Sequence, residues 1–116
     1  MTRRGEITLD ALFAALADPT RRAIVERLLA NGELTVGEVA VPFAITTPAI
    51  SRHLRVLEGA GLITRRTVRQ WRYLRVKQDA LAPLESWISR QRRYWNAALD
   101  RLEAAASLKT PKHAKS

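Results

Sequence analysis

Apolar residues recur along this chain first at helical spacing, then in alternation, and then at helical spacing again. Leu9, Leu12, Phe13 and Leu16 fall at i, i+3, i+4 and i+7, and Thr8 stands where its side chain can cap them, so a short amphipathic helix is predicted. Asp18-Pro19 marks a second helix start: the aspartate accepts from free first-turn amides, and the proline gives up an amide that had no partner there. Ile24, Val25, Leu28 and Leu29 form the expected buried side of this helix, and Asn31-Gly32 closes it. Thr35-Val36-Gly37-Glu38 has the capping-box pattern, Val36, Val39 and Ala40 supply an apolar side, and Pro42 ends the third helix by biasing Val41 out of the helical region. In the fourth pattern Ile50, Leu54 and Leu57 make an inward stripe, with Pro48 suited to the first turn, Thr46 or Thr47 as cap, and Gly59-Ala60-Gly61 as the stop.

From Leu62 the period changes. Residues 62–66 and 71–76 are β-rich runs, and Thr67-Val68-Arg69-Gln70 between them reads as a hairpin turn of undefined type, since it holds no glycine or asparagine. Beyond it Leu81, Leu84, Ile88, Trp95, Leu99 and Leu102 continue at near-heptad spacing from about Pro83 to Ala106, joined by Trp87 and Tyr94. Such a helix is about 36 Å long at 1.5 Å per residue, more than so small a domain covers by itself. Its aromatic stripe calls for a partner. The pattern therefore predicts a mainly α fold of about five helices with a two-stranded β-hairpin wing, its domain spanning residues 8–106. A loose arm at 1–7 precedes it, and a basic tail at 107–116, unpatterned and expected to be disordered, follows.

Charge sharpens this outline. The 116 residues carry a formal +9, but residues 1–45 hold 5 basic and 6 acidic groups while residues 46–77 hold 8 and 1. A single-sign stretch on one structural unit, the fourth helix and hairpin, is the footprint expected for phosphate binding. No apolar run approaches a membrane span and no signal peptide opens the chain, so no membrane partner is expected and the expected location is cytoplasmic. Cysteine is absent, which removes disulfides and thiolate metal sites; the two histidines, His53 and His113, cannot by themselves complete a tetrahedral zinc site, so neither a metal nor another cofactor is expected. An enzyme reading lacks a cysteine nucleophile, a histidine with a patterned carboxylate, a phosphate-cradling glycine loop and a paired carboxylate.

Two short helices joined by a tight connector, the second basic outside and apolar inside, make a helix-turn-helix, whose expected partner is double-stranded DNA. Thr47, Pro48, Ser51, Arg52, His53 and Arg55 are the candidate contacts of its recognition helix. Arg52 and Arg55 stand either as base or phosphate contacts or as solvated charges; a guanidinium matches guanine O6 and N7, which favours Arg52 as base reader and leaves Arg55 nearer the phosphates. Thr47 and Ser51 suit a base edge, a thymine methyl or a phosphate, with capping the competing role for Thr47. His53 lies at the edge of the apolar stripe, where packing with a bond to backbone or phosphate outweighs base reading. On the hairpin, Arg66, Arg69, Gln70 and Arg72 are candidate DNA contacts; alternation keeps Arg65, Arg66, Arg69 and Arg72 from meeting one strand together, and Arg69 at the tip is the minor-groove candidate.

The segments A-L-A-D-P-T-R-R-A-I and P-A-I-S-R-H-L-R-V-L-E-G-A-G-L-I, within this order of helices and hairpin, resemble the ArsR family of small bacterial winged-helix repressors over roughly residues 9–106. The resemblance implies a homodimer built on the first and last helices, which nominates Leu9, Leu12, Phe13, Leu84, Trp87, Ile88, Tyr94, Trp95, Leu99 and Leu102 as interface residues. It also implies two recognition helices in successive major grooves of an inverted-repeat operator, the regulator's own operon being a usual target. Metal-sensing members carry cysteines on the third helix or aspartate and histidine ligands on the last; here the third helix reads Thr35-Val36-Gly37-Glu38-Val39 and the last holds no histidine. The chain looks more like the branch without those ligands. A small-molecule effector between the long helices, at Trp87, Tyr94 and Trp95, is left open without being indicated, dimer packing being the simpler use of those residues. The competing function is a winged-helix module that binds nucleic acid without specificity or docks a protein.

Overall fold

A computed structural model describes residues 8–109; the expected arm at 1–7, tail residues 110–116 and His113 lie outside the described residues. The chain runs α1 (Leu9–Leu16), α2 (Pro19–Asn31), β1 (Leu34–Thr35), α3 (Val36–Ala40), α4 (Thr47–Gly59), β2 (Ile63–Val68), β3 (Trp71–Val76) and α5 (Ala82–Lys109). The last helix thus extends to Lys109, through three residues expected in the tail.

Each of the first four helices starts on a capping side chain. Thr8 accepts from the Ala11 amide at 3.2 Å, Asp18 from Arg21 at 3.0 Å and Thr46 from Ala49 at 3.2 Å. The capping box is reciprocal: the Glu38 amide donates to Thr35 Oγ1 at 3.2 Å and the Thr35 amide to Glu38 Oε1 at 2.8 Å. Of the two cap candidates for α4, Thr46 holds the position and Thr47 is the first helical residue. Gly32 ends α2 at φ 83°, a conformation that a Cβ would strain, and its amide donates to the Leu28 carbonyl at 2.7 Å.

Arginines on α2 close the ends of their neighbours. Arg21 Nε donates to the Ala15 carbonyl at 2.6 Å and Arg22 to the Leu16 carbonyl at 2.8 Å, capping α1; Arg27 donates twice to the Glu38 carbonyl, at 3.2 and 2.9 Å, capping α3. Cations at helix C-termini satisfy orphan carbonyls and oppose the negative end of the macrodipole.

The two-stranded hairpin wing that alternation predicts is present as β2 and β3, and β1 joins its β3 edge to give a three-stranded antiparallel sheet in the order β1-β3-β2. β1 pairs Leu34 with Leu74 and Thr35 with Tyr73. Thr67 and Val68, expected in the turn, belong to β2 and pair with Arg72 and Trp71, leaving a two-residue turn of Arg69 and Gln70. Right-twisted hairpins favour positive φ at the first turn position, and Arg69 supplies it at φ 57°.

The described residues fall into two compact units, one ending at Leu84 and one beginning at Glu85. The first holds the core: Leu12 and Ala15 from α1, Ile24, Val25 and Leu28 from α2, Val39, then Ile50, Leu54 and Leu57 from α4, and Ile63 and Leu74 from the sheet. Leu29, expected on the buried side of α2, is 55% exposed, because it lies a further 100° around the helix from Leu28. The second unit is the body of α5.

Candidate nucleic-acid interface

The stripe Ile50, Leu54 and Leu57 is buried, which fixes the rotation of α4 about its axis. One face is thereby turned outward. Thr47, Pro48, Arg52 and Arg55 are exposed along it, and Ser51 is half-buried at its flank. Among the described residues, neither Arg52 nor Arg55 makes a hydrogen bond or ion pair that would hold its guanidinium back.

His53 takes the other flank, half-buried and facing the start of α2. Its Nδ1 lies 3.5 Å from Arg21 Nη1 and 3.9 Å from Asp18 Oδ2. Asp18 is held below its ordinary carboxylate value of 3.8, chiefly by the Arg21 amide it caps, with the nearby His53 and the Arg21 charge adding to the effect against desolvation. Arg21 thus touches the end of α1, the start of α2 and the side of α4 together. Nothing in the local spacing signals this role, since Arg21 and His53 are separated by 32 residues.

Wing charges divide by the pleat. Register places Arg65, Leu74, Thr67 and Arg72 on one face with buried Ile63, and Thr64, Arg75, Arg66, Tyr73, Val68 and Trp71 on the other. Arg65 makes a bidentate pair with Glu58 near the end of α4, both bonds at 2.9 Å, tying the hairpin to that helix. Arg66, expected to contact DNA, is bidentate to Glu33 at 2.9 and 3.0 Å, and its guanidinium sits 4.9 Å from the Tyr73 ring centroid. The shared hydrogen bonds hold the Glu33 carboxyl below its ordinary value of 4.5 and push the Arg66 guanidinium up. The structure therefore gives Arg66 an intramolecular partner, in a pair whose arginine side chain stays 59% exposed. Arg69, Gln70 and Arg72 are exposed at the tip, and neither arginine is paired among the described residues. Arg75, exposed on the face of Tyr73, is a cation the sequence reading did not single out.

The candidate interface residues on the first and last helices separate in the same way. Leu12 has 0% exposure and belongs to the core, so it has no surface to offer a second chain; it lies on the α1 face that buries Ala15, whereas Phe13, one position on, is 43% exposed. Leu9 is half-buried, and Leu84 packs against the core. On α5, Ile88, Tyr94, Trp95, Leu99 and Leu102 are exposed, and Trp87 and Trp95 border an open apolar depression along the helix. No helix among the described residues is long and apolar enough to cross a membrane.

A helix-turn-helix domain family model matches residues 16–66. The chain is 43% identical to the HTH-type transcriptional regulator Rv2034 of Mycobacterium tuberculosis, over 78% of this chain and 80% of that protein. It is 35% identical to the transcriptional repressor SdpR of Bacillus subtilis, over 69% of this chain and 88% of that protein. A solved ArsR family transcriptional regulator superposes with a TM-score of 0.70 at 35% identity, covering 76% of this chain and 90% of that one.

Proposed function

The chain belongs to the ArsR family of winged helix-turn-helix regulators, and on that footing we propose that it is a metal-independent homodimeric repressor reading an inverted-repeat operator. Residues 8–106 serve as one DNA-binding and dimerisation domain. The observation that carries this reading is the outward face of α4, where Arg52 and Arg55 stand exposed and unpaired over a buried stripe that holds the helix rigid.

In this reading α4 lies in the major groove, with Thr47, Pro48 and Ser51 at the end that reaches base edges. The Arg52 fork matches guanine O6 and N7, and Arg55, a turn further on, meets phosphate. Arg69 at the wing tip enters the flanking minor groove and Arg72 contacts the backbone beside it. His53 and Arg66 act from behind this surface, the first by bracing α4 against α2, the second by joining β2 to Glu33. Metal independence rests on the donor set: the sequence holds no cysteine and two histidines. Repression is favoured over activation by the named role of SdpR.

Two copies related by a two-fold axis impose the same symmetry on their site. Selection from random duplex DNA should return an imperfect inverted repeat whose half-site centres lie about 10–10.5 base pairs apart, or a small multiple of that. Enrichment of a single asymmetric site, or of none, contradicts the reading.

A further inference from the structure

We propose that Pro48 reads the 5-methyl group of a thymine, within about two base steps of the base pair contacted by Arg52. The inference rests on α4 being the recognition helix and names a specificity determinant within it.

Pro48, Arg52 and Arg55 stand at i, i+4 and i+7 and are all exposed, so they form one line along the outermost edge of α4. Pro48 leads that line as the second helical residue. Its backbone is held on both sides, because Thr46 caps the turn at 3.2 Å and the next residue but one, Ile50, is 1% exposed. The ring is therefore presented in one orientation.

Chemistry limits what that ring can recognise. Proline has no polar side-chain atom, and its nitrogen carries no hydrogen, so Pro48 offers a base edge neither a donor nor an acceptor. Among the groups that bases present in the major groove, the thymine methyl is the apolar one that projects beyond the ring C–H edge; the rest that project are hydrogen-bonding atoms. Against that methyl the ring gains apolar burial; against the amino group of adenine or cytosine, or the acceptors of guanine, it strips water from a polar atom and returns nothing. Both effects favour thymine.

The spacing follows from helix geometry. Four residues advance about 6 Å along α4. Base pairs are stacked about 3.4 Å apart and a helix in the major groove is inclined to the DNA axis, so the thymine and the Arg52 contact are at most about two steps apart.

The test replaces each thymine of one half-site, singly, by deoxyuridine, which lacks only the methyl. For the wild-type chain one position should weaken binding about fourfold, the effect of one buried methyl-sized group. That position should lie within about two base steps of the one where Arg52→Ala relaxes preference. Pro48→Ala should blunt the uracil effect and Pro48→Gly remove it, with the circular dichroism and thermal midpoint of each variant reporting that α4 is intact. Indifference of the wild type to every uracil overturns the proposal. So does an effect that persists in Pro48→Gly, or one that disappears in Thr47→Ser instead. Failure of the underlying reading looks different: Arg52→Ala would then leave every base preference unchanged, and the Pro48 inference falls with it.

Discussion

Arginine supplies most of the positive charge here, and its partners divide it into two populations. Arg21, Arg22 and Arg27 cap helices, and Arg65 and Arg66 are locked to Glu58 and Glu33, while Arg52, Arg55, Arg69 and Arg72 are exposed and, among the described residues, unpaired. Replacing one of the second group tests its role without removing an internal bond. Arg52→Ala should weaken operator binding by about 1–3 kcal/mol and relax preference at one position of each half-site, as a lost bidentate base contact does. Arg69→Ala should weaken operator and unrelated DNA alike and lower the salt slope by about one per wing engaged. Affinities across a salt series for both variants check the pair, and the reverse pattern would assign sequence reading to the hairpin. Acid sensitivity belongs to the internal population. Asp18 and Glu33 are both held below their ordinary values, so each contributes stability above its unfolded value and loses it as pH falls through the folded one. Denaturant midpoints should decline below about pH 5. The decline should be shallower in Asp18→Asn, which keeps a capping side chain without the charge; an identical acid profile contradicts this. The concentration of charge at residues 46–77 was legible in the sequence. Which charges stay free was not, because Glu33 and Arg66 lie 33 residues apart and meet only when β1 joins the sheet.

Helix starts were readable because a cap is a local device: Thr8, Asp18, Thr35 with Glu38, and Thr46 each bond within three residues of themselves. β1 was not readable, since two residues are too few to show alternation and Leu34-Thr35 is a strand only by pairing with Leu74 and Tyr73. The wing turn failed for a related reason. Its sequence lacks the residues that favour positive φ, and register across the hairpin, set by Ile63 and Leu74 in the core, places Arg69 there at φ 57° regardless. Arg69→Gly should therefore raise stability by about 1 kcal/mol, relieving left-handed strain, while weakening DNA binding as Arg69→Ala does. Opposite signs in chemical denaturation and DNA titration check it. A loss in both would mean that the Arg69 side chain holds the wing together.

On the scale of the whole molecule, the stripe of Ile88, Tyr94, Trp95, Leu99 and Leu102 is exposed, and the proposed dimer is the arrangement that would bury it. It was legible because the periodic pattern outruns the domain, whereas Leu12 was misassigned because a stripe on α1 does not say which neighbour it meets. Sedimentation should show a dimer at micromolar concentration, and Trp95→Ala should weaken association by about 2 kcal/mol, as a central aromatic anchor does. A wild-type monomer at that concentration contradicts the dimer. In the proposed function the outward face of α4 reads sequence and does more than attract phosphate. The most direct test is the ratio of affinities for the selected operator and a scrambled duplex of equal length, at one physiological salt concentration, with and without equimolar zinc. A sequence-reading, metal-independent α4 gives a ratio of about 10³ or more, unchanged by zinc. A ratio near one would make the chain an electrostatic binder of nucleic acid, and a ratio that collapses on adding zinc would make it a metal sensor.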